Sequence, residues 1–284
     1  MIKVYNHITE LQSRLQKERV KKHTIGFVPT MGALHEGHLS LIRKSLSETD
    51  LTVCSIFVNP LQFNNPRDLE TYPRKPEQDI SVLESAGCQI VFLPEVKEMY
   101  PEKEPQKLNI DLGHLDKVLE GKYRPGHFLG VATVIKRFFD IVQPDKAFFG
   151  KKDYQQLLVI HRLVEQVKIP TEIVPCPIIR EADGLAMSSR NLRLTIGERT
   201  IAPFISQILN KMKEKGTSLP VRELKNWAIK KITDNPAFHV EYLEIVDKDT
   251  LYPLENWKSK SKAMVCTAVY LGDVRLIDNM ELFS

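Results

Sequence analysis

Apolar positions along this chain switch between helical and strand periods, and the switches occur at short polar punctuation. Residues 8–19 place Ile8, Leu11 and Leu15 at helical spacing, and the short run Thr24-Ile25-Gly26-Phe27-Val28 then reads as a buried strand. Leu39, Leu41, Ile42 and Leu46 next suit the inner face of a helix. A second strand, Leu51 to Val58, ends at Asn59-Pro60, where proline cannot donate to a ladder. Pro76 fits the first turn of a helix carrying Ile80, Leu83 and Ala86; Gly87 stops it, and Cys88 to Leu93 forms a third strand. Residues 94–126 hold several prolines and few apolar runs, so they read as loop with a helical turn near Leu115 to Leu119. Val131, Val134, Ile135, Phe138 and Val142 mark an amphipathic helix, Lys146 to Phe149 a strand, Leu157, Ile160, Val164 and Val167 another helix, and Thr171 to Ile179 a strand.

Five strands alternating with helices predict an α/β fold, a Rossmann-like doubly wound parallel sheet over residues 1–180. The texture changes after Arg180. A loop over 181–191 leads to helical patterns at 196–213 and 221–233, and then His239 to Val246, Ala263 to Leu271 and Val274 to Ile277 follow one another as strands without helices between them. A smaller C-terminal α+β domain with an antiparallel sheet is therefore expected over 181–284.

Composition adds little that conflicts with this. The chain has 284 residues, 42% hydrophobic and 27% charged, which is ordinary for a globular protein. Its 40 basic residues are spread rather than blocked, so the net charge of +4 suits small anionic substrates as well as a polyanion. Cys54, Cys88, Cys176 and Cys266 show no close paired spacing and read as reduced, buried thiols, and the N-terminal residues show no apolar core of signal-peptide length. No run approaches the ~20 apolar residues of a membrane span. The expectation is a cytoplasmic protein with no membrane partner.

The chemistry concentrates in Pro29-Thr30-Met31-Gly32-Ala33-Leu34-His35-Glu36-Gly37-His38, which joins the first long strand to its helix. In an open parallel sheet such a turn lies at the carboxyl edge, where ligands bind, and a helix start offers backbone N–H groups to phosphate. His35 and His38, three apart, share a helix face, and Gly32 lets the backbone approach closely. Donors fixed there would stabilise charge building on a phosphoryl group. The plainer alternative is that the two histidines only cap and fill. A zinc site fits less well, because zinc-protease helices space their histidines at i and i+4.

These residues, with Phe57-Val58-Asn59-Pro60-Leu61-Gln62-Phe63, Tyr72-Pro73-Arg74, Leu119-Glu120-Gly121, Arg124-Pro125-Gly126-His127-Phe128, Phe148-Phe149-Gly150-Lys151-Lys152-Asp153-Tyr154-Gln155-Gln156 and the Arg180 to Asn191 segment, resemble in order the pantoate–β-alanine ligase (pantothenate synthetase) family of the HIGH-motif nucleotidyltransferases. The resemblance covers the first domain and the loop after it. It implies an ATP-dependent, AMP-forming ligase in which pantoate attacks the α-phosphorus of ATP, and the amine of β-alanine then attacks the pantoyl adenylate.

The resemblance also carries residue roles. His38, His35 and Lys152 would be catalytic. ATP would be bound by Met31, Gly32, Ala33, Leu34, His35, Glu36, Gly37 and His38, by Gly150, Lys151, Lys152 and Asp153, by the Ile179 backbone, and by Met187, Ser188, Ser189 and Arg190 of a mobile loop on a lid domain. Gln62 and Gln156 would bind pantoate, and Gln62 would also reach β-alanine; an amide suits this because it both donates and accepts. Glu120, Arg124 and His127 would wall the pocket. The family pattern has glutamate where Lys151 stands, and Gln78 stands where some relatives have an acidic residue beside Asp79. The implied metal is Mg²⁺, carried chiefly by ATP oxygens and water, with no protein ligand named. A homodimer is implied as well. Two rival readings fit less well. Another nucleotidyltransferase of the superfamily is opposed by the Gln62 and Gln156 segments, and a nucleic-acid-binding module lacks a basic run interleaved with aromatics.

Overall fold

A computed structural model describes residues 1–101, 108–257 and 262–283; the 102–107 part of the stretch read above as loop lies outside the described residues. Internal contacts divide the chain into two units. The first comprises Met1–Lys151 and Gln156–Pro177, the second Lys152–Gln155 and Ile178–Ser284. The division thus falls three residues before the boundary read from the sequence, and the four residues after Lys151 go with the second unit.

In chain order the first part runs β1 (Lys3–Tyr5), α1 (Ile8–Val20), β2 (Ile25–Thr30), α2 (Glu36–Glu48), β3 (Leu51–Ile56), α3 (Pro66–Glu70), α4 (Pro76–Ser85), β4 (Ile90–Phe92), α5 (Val96–Met99), α6 (Leu119–Tyr123), α7 (His127–Val142), β5 (Lys146–Gly150), α8 (Tyr154–Val167) and β6 (Glu172–Cys176). Its six strands are all parallel in the order β1-β4-β3-β2-β5-β6. From β2 the chain winds outward through β3 to β4, then crosses back to β5 and β6, so the topological switch lies between β2 and β5.

Neighbouring strand residues go to opposite faces, and the core sorts accordingly. Phe27, Val53, Phe92 and Phe149 pack with α1, α7 and α8 on one face, while Val28, Cys54, Val91 and Phe148 pack with Leu41, Ile42 and Leu83 of α2 and α4 on the other. Phe138 of α7 is the centre of the first face, its ring 5.3 Å from Phe27, 6.1 Å from Phe57 and 6.3 Å from Phe92. Both faces being covered explains why these strands are continuous apolar runs.

A proline in the central strand opens the switch point. Ile25 O accepts from Asp145 N on the β5 side and Thr30 O accepts from Phe57 N on the β3 side. Odd positions of β2 therefore face β5, and Pro29 has no N–H to offer it. Pairing of β2 with β5 stops at Phe27–Ala147, whereas pairing with β3 continues to Thr30–Ile56. The carboxyl ends of β2 and β5 are therefore not paired with each other, although each keeps its ladder to β3 or β6.

Three readings need correction. Lys3–Tyr5 is a sixth strand, paired with β4 at the sheet edge, where the sequence shows only three residues, mostly exposed. The pattern at 196–213 is two helices, α9 (Ile196–Ile201) and α10 (Phe204–Lys215), because Pro203 interrupts the backbone bonding. Helical turns also occur at Val96–Met99 and Leu119–Tyr123, rather than the single turn expected near Leu115.

The second unit continues with α11 (Val221–Thr233) and the antiparallel sheet β7 (Phe238–Asp247), β8 (Ala263–Leu271) and β9 (Val274–Glu281), in that order. Leu209, Met212, Leu224 and Ile232 of its helices bury against Val265, Val269 and Leu271 of its sheet. Among the described residues no helix is long and apolar enough to cross a membrane.

Candidate active site

The turn from β2 to α2 is held from below. Gly32 has φ +80° and Ala33 φ 49°, both left-handed, and a Cβ at Gly32 would stand 2.9 Å from Asp79 Oδ2. Asp79, on α4 and 3% exposed, accepts from Ala33 N at 2.9 Å and from Leu34 N at 2.8 Å, one bond to each carboxylate oxygen. Burial pushes its carboxyl above the ordinary range, and the two N–H donors pull in the other direction. Thr30 Oγ1 accepts from Gly32 N and donates to Ser55 O.

His35 is the N-cap of α2. Its Nδ1 accepts from Gly37 N at 3.1 Å, and its own N–H donates to His38 Nδ1 at 3.3 Å, closing a capping box. The two rings lie 4.1 Å apart between centroids. Because each Nδ1 faces a backbone N–H, a neutral ring must carry its proton on Nε2. The Nδ1 bonds orient both rings and leave Nε2–H as the donor that a neutral ring would offer. Glu36 is turned outward and ion-paired with Arg43.

After β3 a 3₁₀ turn, Pro60–Gln62, delivers Gln62 to the same edge. The side chain is buried, with Nε2 donating to Met31 Sδ at 2.9 Å and Oε1 accepting from Asn59 Nδ2 at 3.2 Å. Met31 of the histidine turn and Gln62 are therefore in contact. His127 Nδ1 lies 2.7 Å from Gln62 O, and its Nε2 lies 3.1 Å from Arg124 Nη1. A carbonyl can only accept and a guanidinium can only donate, so His127 is the neutral Nδ1–H tautomer, and Glu120 sits 3.4 Å from Arg124 on the other side. Gly150 ends β5 at the switch point, Lys151 starts the 3₁₀ turn that follows it, and Gln156 lies in the first turn of α8.

The remaining predicted residues belong to the second unit. Lys152, with a side chain 17% exposed, pairs with Asp153 at 3.4 Å, and its carbonyl accepts from Asn279 Nδ2 at 2.8 Å. Ile179 O accepts from Met187 N at 3.0 Å, and Ser188 Oγ accepts from Arg190 N to start the turn Ser189–Arg193. Arg180 holds Asp278 in a two-bond pair at 2.7 and 2.9 Å and also donates to Gly184 O, which fixes the root of this loop. Among the described residues no three His, Cys, Asp or Glu side chains gather to hold a metal ion.

Asn59, Asp79, Tyr100, Arg180 and Asp278 carry this architecture without having been assigned roles from the sequence. The only local signal was Asn59 before Pro60, a polar residue closing an apolar strand.

A fully parallel sheet with a histidine-capped helix and a buried amide at its switch point defines a Rossmann-like α/β protein whose carboxyl edge is suited to ligand binding. The model of the family described as pantoate-beta-alanine ligase matches residues 3–281, and the chain belongs to that family. It is 48% identical over 280 residues to the pantothenate synthetase of Porphyromonas gingivalis (99% of each chain), and 46% identical over 277 residues to that of Cytophaga hutchinsonii (97% of each). Among solved structures, pantothenate synthetase from Thermus thermophilus superposes with a TM-score of 0.93 at 42% identity, covering 100% of both chains. The pantoate-beta-alanine ligase of Francisella tularensis, complexed with beta-gamma ATP and beta-alanine, gives 0.83 at 38% identity, covering 99% of this chain and 98% of that one.

Proposed function

We propose that this ligase condenses pantoate with β-alanine through a pantoyl adenylate, releasing pyrophosphate and then AMP. The observation that carries the reading is the bond between Gln62 and Met31, which sets a pantoate-type amide against the histidine turn at the switch-point edge. A free carboxylate is a poor acyl donor, because oxide is a poor leaving group. Attack of its oxygen on the α-phosphorus expels pyrophosphate and leaves a mixed anhydride; attack by the amine then expels AMP.

In the first step, His35 and His38 donate through Nε2 to phosphate oxygens as charge builds, and their Nδ1 bonds to the backbone mean that they need not reorganise. Gly150 and Lys151 flank the nucleotide, while Lys152, Asp153, the Ile179 backbone and Met187–Arg190 supply the cationic, ribose and adenine contacts that the family likeness assigns. Gln62 and Gln156 hold pantoate, with Gln62 extending to β-alanine. Mg²⁺, if carried by ATP oxygens and water, would supply charge compensation at the phosphates. Asp79 is not offered as its ligand, since both carboxylate oxygens are engaged by backbone N–H groups. Homodimer formation and residence in the cytoplasm belong to the same proposal, and light scattering tests the former.

The deciding experiment is a product assay with each substrate withheld in turn. Sustained AMP and pyrophosphate release should require ATP, Mg²⁺, pantoate and β-alanine together, with pantoyl adenylate accumulating when the amine is omitted. ADP and phosphate as products would overturn the adenylate route.

A further inference from the structure

Gln62 can serve a ligand only if its amide is the right way round, and nothing in its own turn decides that. Among the described residues its Oε1 faces Asn59 Nδ2 alone, at 3.2 Å, so the decision passes to Asn59, which is 1% exposed. Every bonding position of the Asn59 amide is used. Nδ2 donates to Gln62 Oε1 and to Gly130 O at 3.2 Å; Oδ1 accepts from Leu61 N at 3.3 Å and from the Tyr100 hydroxyl at 3.0 Å. Leu61 N–H is only a donor and Gly130 C=O only an acceptor, so together they set the direction of the Asn59 amide. The bond from Leu61 is long, however, and the shorter bond to Oδ1 comes from Tyr100.

We infer that Tyr100 is a positioning residue: its hydroxyl braces the Asn59 amide in the direction that Leu61 and Gly130 set, and through Asn59 it steadies Gln62 with Oε1 inward and the Nε2 hydrogens toward Met31 and the ligand. The residue is built for this. It follows α5, its N–H donates to Val96 O at 2.8 Å, and Arg137 Nε donates to the preceding carbonyl, Met99 O. Its ring packs on Phe57 at 6.2 Å between centroids, which fixes the phenol beside the end of β3. Burial raises the hydroxyl's pKa, which keeps it a donor. A ligand carboxylate or hydroxyl oxygen is therefore met by amide hydrogens, and a ligand that can only donate is met by the wrong end.

The substrate half of this inference rests on Gln62 binding pantoate; the positional half does not. Tyr100→Phe removes one oxygen and keeps the ring. In the full chain, the side-chain NH₂ resonances of Asn59 and Gln62 should shift and exchange with solvent about tenfold faster in the variant, as expected when a buried amide loses a fixing bond. Unmoved resonances overturn the inference. In steady-state assays, kcat/KM for pantoate should fall about fivefold, the scale of one neutral hydrogen bond, while KM for ATP stays within about twofold. Equal losses for both substrates would mark a general structural defect and overturn it too. In a Gln62→Ala background the Tyr100→Phe change should have no further effect on pantoate kinetics, and full additivity counts against the inference. If Gln62→Ala alone leaves pantoate kinetics intact, the assignment of pantoate to Gln62 fails, and the amide resonances alone decide the role of Tyr100.

Discussion

Replacing Gly130 by alanine tests how tightly α7 and the Gln62 turn must approach. A Cβ at this position would run into the Leu61 carbonyl and stand 2.8 Å from Gln62 Cα, where ordinary contact begins near 3.4 Å. The Leu61 carbonyl carbon is closer still, at 2.6 Å, so backbone must yield by at least about 0.8 Å, and the segment that yields carries Gln62 itself, beside the Gly130 carbonyl that Asn59 uses. Misplacing a substrate-holding group by ~1 Å costs about 10²-fold, so a loss of about 10- to 10²-fold in kcat/KM for pantoate is expected. Stability moves less. Alanine is favoured over glycine in a helix by ~1 kcal/mol, while overpacking costs ~1–3 kcal/mol, leaving a net loss between zero and ~2 kcal/mol. Pyrophosphate release against pantoate at saturating ATP reads the first quantity, and thermal melting by circular dichroism reads the second. Activity within about twofold of the parent together with a raised melting temperature would refute the reasoning, because it would mean that the helix had gained its propensity without displacing the turn.

His38→Ala should lower the rate of adenylation, followed by single-turnover pyrophosphate release, by about 10²-fold, as for loss of one transition-state donor; a loss of only a few-fold would leave it a capping role. Glu18, buried among Arg14, His23 and Lys21, is held at about 2 rather than its ordinary 4.5, chiefly by its bonds to Arg14 and then His23. The folded pKa is depressed, so the stability it contributes is complete above pH 4.5 and is lost as pH falls toward 2. Urea unfolding across that window should show a shallower decline for Glu18→Gln than for the parent, and identical slopes would count against the cluster.

Much of the architecture was legible because parallel strands covered on both faces are long apolar runs, and β2, β3 and β5 stand out on that ground alone. β1 did not, since three residues with Lys3 and Val4 exposed carry no period. The helical spacing of 196–213 ran unbroken across Pro203, and a reading of spacing alone cannot see a missing N–H. Among the candidate site residues, the two histidines announce themselves locally, whereas Gln62 and the Met187–Arg190 loop are reached only through the family resemblance. What escaped were residues whose work depends on distant partners. Asp79 acts 46 and 45 positions away on Ala33 and Leu34, Tyr100 acts 41 away on Asn59, and Asn59 reaches Gly130 71 away. No window of the sequence contains both members of such a pair.

The four cysteines have a practical consequence. All are reduced and buried, and burial raises Cys54 well above the usual thiol range, Cys88 to about 12 and Cys176 to about 11. Cys54, Cys88 and Cys176 thus present neither access nor thiolate to an alkylating reagent at neutral pH, and Cys266 is shielded by burial, whereas an opened chain exposes all four. Cys54, Cys88 and Cys176 lie on one packed face of the first sheet and Cys266 in the second sheet, so mapping which thiol is modified first tells which core comes apart first. The native chain carries its own stopwatch for breathing, with a separate hand for each sheet.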